Sequence, residues 1–288
     1  MVVHNIPRSK LDLDKTFNCG QCFRWEKQSD GSWIGIINNN IFSLKHIIVD
    51  GVECIETNAT EEEWNNILYN YLDLDTDYDI SILDTYDHNK KSMIYTSDTF
   101  AIKAMKAGAG IRILRQDPWE AIISFIISQR NNIPKIKSTI HNMCVKHGNM
   151  INKTINSREY IGYTFPKPDK LTDITKLTGI GLGYRDEYVS RAALVMEEYP
   201  EFMSYITSGN IDTDGVIYKL QELKGVGPKV ANCIALFGLH RLDAFPVDVW
   251  MQRIIDQYYD GNLDYTVYGN LAGLVQQYMF YYIKYTNT

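Results

Sequence analysis

Residues 216–258 restrict the fold more than any other stretch of this chain. Val216, Ile217, Leu220 and Leu223 recur at helical spacing, and the helix they predict stops at Gly225. Gly225-Val226-Gly227 then turns the chain, and Pro228 starts a second helix with an apolar face of Val230, Cys233, Ile234 and Phe237. The expectation is a helix, a tight Gly-x-Gly hairpin and a second helix, over about residues 212–240. Glycine tolerates backbone angles that other residues disfavour and lets a bulky anion approach the main chain. The free N–H groups at a helix N-terminus can then hold a phosphate without side-chain charge. Alone, such a turn is a weak signal, because it also serves as an ordinary connection.

Two neighbours sharpen it. Lys229 follows Pro228 and falls in the first turn of the second helix, where a cation opposes the helix dipole. That field, with desolvation, favours the neutral amine, which is a nucleophile able to form a Schiff base. The plain alternative is a surface lysine. Phe245-Pro246-Val247-Asp248 precedes Val249, Ile254, Ile255 and Tyr258 at helical spacing, so Asp248 reads as an N-cap. Capping alone would explain it, but one helix and a returning loop can also carry it to the same cleft as Lys229.

The rest of the chain divides in two. Gln21 to Trp25, Trp33 to Ile37 and Ile41 to Leu44 read as short strands, separated by turns at Ser29–Ser32 and Asn38–Asn40. Thr60 reads as the cap of a helix reaching about Leu72, with acids in its first turn. Beyond about residue 95 helix follows helix. Asp117-Pro118-Trp119-Glu120 caps a very apolar one that runs to Gln129, and Gly179 to Gly183 is a glycine-rich turn before another. The predicted fold class is α+β: an N-terminal antiparallel β-sheet domain with a helix (1–95), followed by a mainly α-helical domain (96–288) that contains the hairpin and the cleft.

Charge follows the same split. The net charge is −6, which by itself argues against a polyanionic partner. Yet 51–89 carries no Lys or Arg, whereas Lys106 to Arg191 holds 14 basic residues against seven acidic ones. A basic middle segment suits a face that meets nucleic acid, although a solvated surface is the plain alternative. The five cysteines are odd in number and scattered, which fits reduced thiols. Cys19 and Cys22 form a lone CxxC without a second ligand pair, so half-buried strand cysteines are expected there rather than zinc. No apolar run is long enough to cross a membrane, and Met1 to Lys10 lacks a signal-peptide core, so a cytoplasmic protein is expected, nucleoid-associated if prokaryotic.

Leu223 to Cys233 together with Phe245 to Val249 resembles the helix-hairpin-helix, Gly/Pro-rich loop and aspartate motif of base-excision DNA glycosylases, and within them is most similar to the 8-oxoguanine DNA glycosylases. Phe17 to Trp25, Phe125 to Ile133 and Gly179 to Arg185 resemble three further segments of that family, so the likeness spans nearly the whole chain. It implies a bifunctional glycosylase/lyase that excises 8-oxoguanine from duplex DNA. Lys229 matches the Schiff-base lysine and Asp248 the carboxylate near the sugar. Gly20 matches a glycine whose carbonyl reads the N7–H of 8-oxoguanine. Cys233 and Phe280 match residues that sandwich the base, and Gln276 the one that reads its Watson–Crick edge. Tyr184 and Arg185 match residues inserted at the lesion, while Gly225 and Gly227 belong to the phosphate-holding hairpin. Asn131 lies in the matched 125–133 segment and joins the DNA-binding set. Arg130 stands where stricter members have asparagine, and Lys135 where they have arginine. The resemblance also implies a monovalent cation on hairpin backbone carbonyls, no required cofactor, and a monomer. The competing readings are a monofunctional glycosylase for alkylated bases, which needs no lysine, and a non-catalytic DNA-binding module, which needs neither Lys229 nor Asp248. An iron–sulfur relative is disfavoured because no cysteine follows Cys233.

Overall fold

In the computed structural model of the chain, residues 1–78 and 98–285 are described. The N-terminal strands are β1 (Val2–His4), β2 (Trp25–Lys27), β3 (Trp33–Ile37), β4 (Asn40–Val49) and β5 (Val52–Thr57). They form one antiparallel sheet in the order β1-β5-β4-β3-β2. Local chemistry sets its turns. Asp50 and Gly51 both adopt positive φ (50° and 81°), the geometry of a tight two-residue hairpin, where glycine removes the cost at the second position. At the β2–β3 turn the Asp30 carboxylate accepts from the Ser32 N–H and hydroxyl. Trp25 and Trp33 are buried on the inner face, and Phe17 stacks on Trp25 at 4.2 Å between ring centroids. Gly35 is forced by that stack: a Cβ there would lie 2.2 Å from the Trp25 ring.

A helical segment over 61–71 closes this layer, with a π-helical turn over Trp64–Leu68 inside it. Thr60 and Glu63 form a reciprocal capping box, as the sequence pattern predicts. The second layer is built on the Pro118–Ser128 helix, in which Trp119 and Ala121 to Ile127 are all buried. The Pro228–Gly238 helix packs closely against it, since a Cβ on Gly238 would meet the Ala121 methyl at 2.6 Å. The Thr99–Gly108 helix packs equally closely on the terminal Ala272–Tyr285 helix, where Gly108 leaves room for the Tyr278 ring.

Several expectations are corrected. Only Trp25 of the Gln21–Trp25 run is in a strand, and a short helix, Leu13–Asn18, precedes it; Cys19 caps that helix rather than lying in a strand. Strands β1 and β5 carry exposed and mixed residues that gave little periodic signal. The later part is not all helical, because β6 (Met150–Ile155) and β7 (Arg158–Tyr163) pair as an antiparallel hairpin. The helix before the Gly-x-Gly turn, Thr213–Leu220, ends five residues before Gly225. The expected boundary at residue 95 lies outside the described residues. Packing also crosses the sequence division: Cys19 and Phe23 lie in the core of the helical part, and Leu114 in the core under the sheet.

Ion pairs lock that crossing. Arg24 Nη1 donates to Glu120 Oε2 at 2.8 Å, and Glu120 stands in the first turn of the central helix. Asp73, with no exposed surface, accepts from Tyr78, Thr76 and Arg115 and lies 3.1 Å from His240 Nε2. The loop before the central helix is therefore fixed from both sides, and that loop supports one wall of the cleft described next.

Candidate active site

A cavity of about 220 Å³ opens where the Cys19–Gly20 loop meets the Pro228–Gly238 helix and the terminal helix. Lys229 and Asp248 both line it. Gly227 is the N-cap of the second helix, Pro228 its first residue and Lys229 its second, so the amine emerges at the exposed helix N-terminus. Asp248 caps the Val249–Tyr258 helix, its Oδ1 accepting from the Trp250 and Met251 N–H groups at 2.9 Å each. Asn232 draws the two together. Its amide donates to the Pro228 carbonyl at 3.0 Å and accepts from the Phe245 N–H at 3.1 Å. The loop that leads to Asp248 is thereby tied to the turn that carries Lys229.

Cys233 lies one turn beyond Lys229 and is buried. Burial raises its thiol pKa, against the lowering effect of Lys229, whose amine hydrogen-bonds and whose charge favours the thiolate. Opposite it, Gln276 and Phe280 project into the same cavity from the terminal helix, spaced four residues apart on one face. Gln276 is only 4% exposed, yet its Oε1 has no hydrogen-bond partner among the described residues. A buried acceptor without a partner costs stability, so this one calls for a ligand or water in the cavity. Gly20 has φ +86°, and a Cβ built there would meet nothing within 4 Å in the free protein. The glycine therefore serves the backbone conformation, not protein packing. Gln277 donates to the Cys19 carbonyl at 2.8 Å, and Gln21 bonds both the Arg112 carbonyl and the Leu114 N–H. These bonds fix the loop on either side of Gly20. The Cys19 thiol is pushed up to about 11 by burial, which keeps it a neutral wall.

The remaining residues singled out from the sequence lie elsewhere, with one exception. Asn131 lines the cavity, while its amide donates to the Ile127 carbonyl. Arg130 is exposed, at a strained φ of +47°, and Lys135 is exposed beside Gly181. Tyr184 is 51% exposed, which suits a residue that meets a ligand. Arg185 is a different case. It is 8% exposed, and its guanidinium donates to the carbonyls of Gln129, Leu182 and Arg130. In the free protein it clamps the loop that holds Arg130 instead of projecting outward, because three main-chain carbonyls satisfy its planar donor set. The two hairpin glycines also differ. Gly225 has φ +82° and a Cβ there would strike the Tyr188 ring at 2.4 Å; Gly227 has ordinary extended backbone and an added Cβ would meet nothing within 4 Å. Gly225 is demanded by the turn, and Gly227 leaves the helix N-terminus uncovered. Among the described residues no three His, Cys, Asp or Glu side chains are grouped as metal ligands.

The comparisons with known proteins concern the chain as a whole. Residues 3–122 match the family described as the N-terminal domain of 8-oxoguanine DNA glycosylase. A Saccharomyces cerevisiae protein, N-glycosylase/DNA lyase, is 31% identical over 274 residues, covering 88% of this chain and 70% of the relative. The chain belongs to the 8-oxoguanine DNA glycosylase family. An Arabidopsis thaliana relative, N-glycosylase/DNA lyase OGG1, is 28% identical and covers 88% of this chain and 67% of its own. Among solved structures, the Clostridium acetobutylicum 8-oxoguanine glycosylase/lyase, bound to double-stranded DNA with cytosine opposite 8-oxoguanine, superposes with a TM-score of 0.81 at 32% identity. That match covers 97% of this chain and 93% of the other. The N-terminal sheet and the helical part are thus those of the family fold. No helix among the described residues is long and apolar enough to cross a membrane.

Four pocket or support residues escaped the sequence reading. Asn232 and Gln277 act through tertiary hydrogen bonds that leave no local trace. Trp250, two residues after the Asp248 cap, lines the cavity and carries Arg253 over its ring at 5.0 Å. Lys284 also lines it, and its signal was available: it continues the four-residue spacing of Gln276 and Phe280.

Proposed function

We propose that this protein is a bifunctional DNA glycosylase/lyase that removes 8-oxoguanine from duplex DNA. One observation carries the reading: an amine, a carboxylate and an unpartnered buried amide acceptor line a single cavity at the hairpin. The yeast and Arabidopsis relatives bear the name N-glycosylase/DNA lyase, and the Clostridium structure holds a duplex with 8-oxoguanine paired to cytosine. A base in a duplex is out of reach of such a cavity, so the lesion must be flipped out of the stack. In this reading the flipped base lies between Cys233 and Phe280, Gln276 reads its Watson–Crick edge, and the Gly20 carbonyl accepts its N7–H.

The chemistry then follows from charge. As the C1′–N9 bond breaks, its electron pair leaves with the base and positive charge develops on the sugar. The Asp248 carboxylate, held by two helix N–H groups, stabilises that charge. The Lys229 amine bonds C1′; one of its protons passes to the departed purine and the other to O4′ as the sugar ring opens to an imine. The imine acidifies the adjacent C2′–H. Loss of that proton expels the 3′-phosphate by β-elimination, and the strand breaks. The exposed N-terminus of the Pro228–Gly238 helix, bare at Gly227, holds a phosphate beside this centre.

A monofunctional enzyme for alkylated bases has no use for an amine in the cavity. Single-turnover assays on duplexes carrying 8-oxoguanine, 3-methyladenine or an abasic site test the proposal. Release of 8-oxoguanine with coupled strand cleavage is expected. Release of the alkylated base alone, with no strand cleavage, contradicts it.

A further inference from the structure

Gln276, Phe280 and Lys284 stand at successive four-residue intervals on the terminal helix, and all three line the cavity. An amide, an aromatic face and an amine therefore form one stripe. The Lys284 Nζ lies 4.9 Å from the centroid of the Phe280 ring, within the range of a cation–aromatic contact. It also lies 5.1 Å from the Tyr285 ring. The two aromatic rings hold the ammonium at the edge of the wall on which the base is stacked in the reading above. Asp248 faces the same space and favours the charged form of Lys284, while partial burial acts the other way and is the larger effect, so its pKa is lowered. Partial desolvation also means that water screens the ammonium less. An arriving DNA strand, with its phosphates, favours the charged form.

We propose that Lys284 is a further positioning and electrostatic residue of the reaction, stabilising the negative charge that the departing purine takes up. This rests on the assignment of the cavity to a flipped 8-oxoguanine. Asp248 and Lys284 then divide the bond-breaking between them. When C1′–N9 breaks, the electron pair passes to the purine, which becomes an anion spread over its ring nitrogens and oxygens. The sugar becomes the cation. A carboxylate on the sugar side and an ammonium on the base side each face the charge that develops next to them, and neither is fully formed in the ground state. Bond-breaking itself needs no proton transfer; the purine anion afterwards takes up a proton given up by the Lys229 amine.

The two half-reactions separate this role from others. Base release generates the purine anion, whereas β-elimination at a preformed abasic site does not. Lys284→Met and Lys284→Gln remove the charge at similar length, and Lys284→Arg retains it. With saturating enzyme, both neutral variants are expected to release 8-oxoguanine about tenfold or more slowly than the wild type. The same proteins should cleave an abasic duplex within about twofold of the wild-type rate, which also shows that they are folded. Lys284→Arg should recover most of the release rate. Unchanged release in both neutral variants overturns the proposal, as does an equal loss of release and cleavage. A weaker affinity for duplex DNA with an unchanged maximal release rate overturns it in favour of a plain phosphate contact. A wild-type protein that cleaves abasic DNA but releases no 8-oxoguanine refutes the underlying reading instead, and the proposal with it.

Discussion

Asp73 and Gln276 are both almost wholly buried, and their polar atoms are treated in opposite ways. The Asp73 carboxylate accepts from Tyr78, Thr76 and Arg115, and His240 Nε2 lies 3.1 Å away. The Gln276 oxygen has none among the described residues. The first site is where the sheet layer and the helical layer are joined; the second is the inner wall of the cleft. A buried polar group that is fully partnered specifies the packing around it. One that is left open costs stability and is kept where a ligand completes it. The difference separates the part of the molecule that holds the cleft from the part that works in it.

The largest expected effect tests the first half of that contrast. Burial alone would raise the Asp73 pKa, but His240 and the hydroxyl donors outweigh it and hold the carboxyl at about 2. A folded pKa below the unfolded value, near 3.9, means that the contribution to stability is complete above about pH 4. It is lost as pH falls from about 4 towards 2. Asp73→Asn leaves Arg112, 3.7 Å from the carboxylate, without its charge partner and Arg115 with only the longer 3.8 Å contact to Asp75, and should destabilise the protein by roughly 3–5 kcal/mol. Urea midpoints at pH 7 and pH 3 measure both effects. A midpoint at pH 7 that Asp73→Asn leaves unmoved breaks the contrast.

Next comes Asp248, which belongs to both regions because it caps a helix and lines the cleft. Asp248→Asn should slow single-turnover base release by about a hundredfold, near 2.7 kcal/mol of barrier. Lost capping accounts for only about 1 kcal/mol of stability. An unchanged release rate in folded protein would leave the carboxylate with a structural role only. Gln276→Leu sharpens the comparison from the other side. Removing an unsatisfied buried oxygen should leave thermal stability nearly unchanged or slightly higher. It should also weaken affinity for a lesion duplex by about tenfold, roughly 1.4 kcal/mol. A large loss of stability would place Gln276 with Asp73.

The smallest effect concerns the base opposite the lesion. Arg185 is occupied by carbonyls in the free protein, Arg130 is donor-only, and Lys135 is a flexible point charge without a planar fork. A good bidentate base contact discriminates by about 1–3 kcal/mol, and one fewer such contact should narrow the preference for cytosine by roughly tenfold. Excision opposite each of the four bases measures it. A cytosine preference of about a thousandfold would show that other residues do the reading.

What could be read from the sequence follows the range of the interactions. Caps are local, so Thr60, Asp117 and Asp248 were legible from neighbouring residues and stand as expected. The Lys229–Asp248 pair was legible because Gly225, Pro228 and Pro246 punctuate the chain around it, and both residues line the cavity. The β6–β7 hairpin was not, since its strands are largely exposed and sit between helices that dominate the pattern. The Thr213–Leu220 helix ends earlier than its apolar spacing predicts, because Leu223 continues that spacing while serving a turn, its carbonyl accepting from the Val226 N–H. Asn232, Gln277 and Lys284 gain their roles only when distant segments meet. For Arg185 only the fold shows the guanidinium turned inward onto main-chain carbonyls.

The central claim is that Lys229 is the nucleophile of the cleft. Borohydride reduction during reaction with an 8-oxoguanine duplex tests it directly, because it converts the imine into a stable protein–DNA adduct. The wild type should yield an adduct whose peptide map places the DNA on Lys229. Lys229→Gln should bind the duplex with near-normal affinity yet give no adduct and no strand cleavage. An undiminished adduct in the Lys229→Gln protein, or an adduct mapped to another residue in the wild type, would contradict the account.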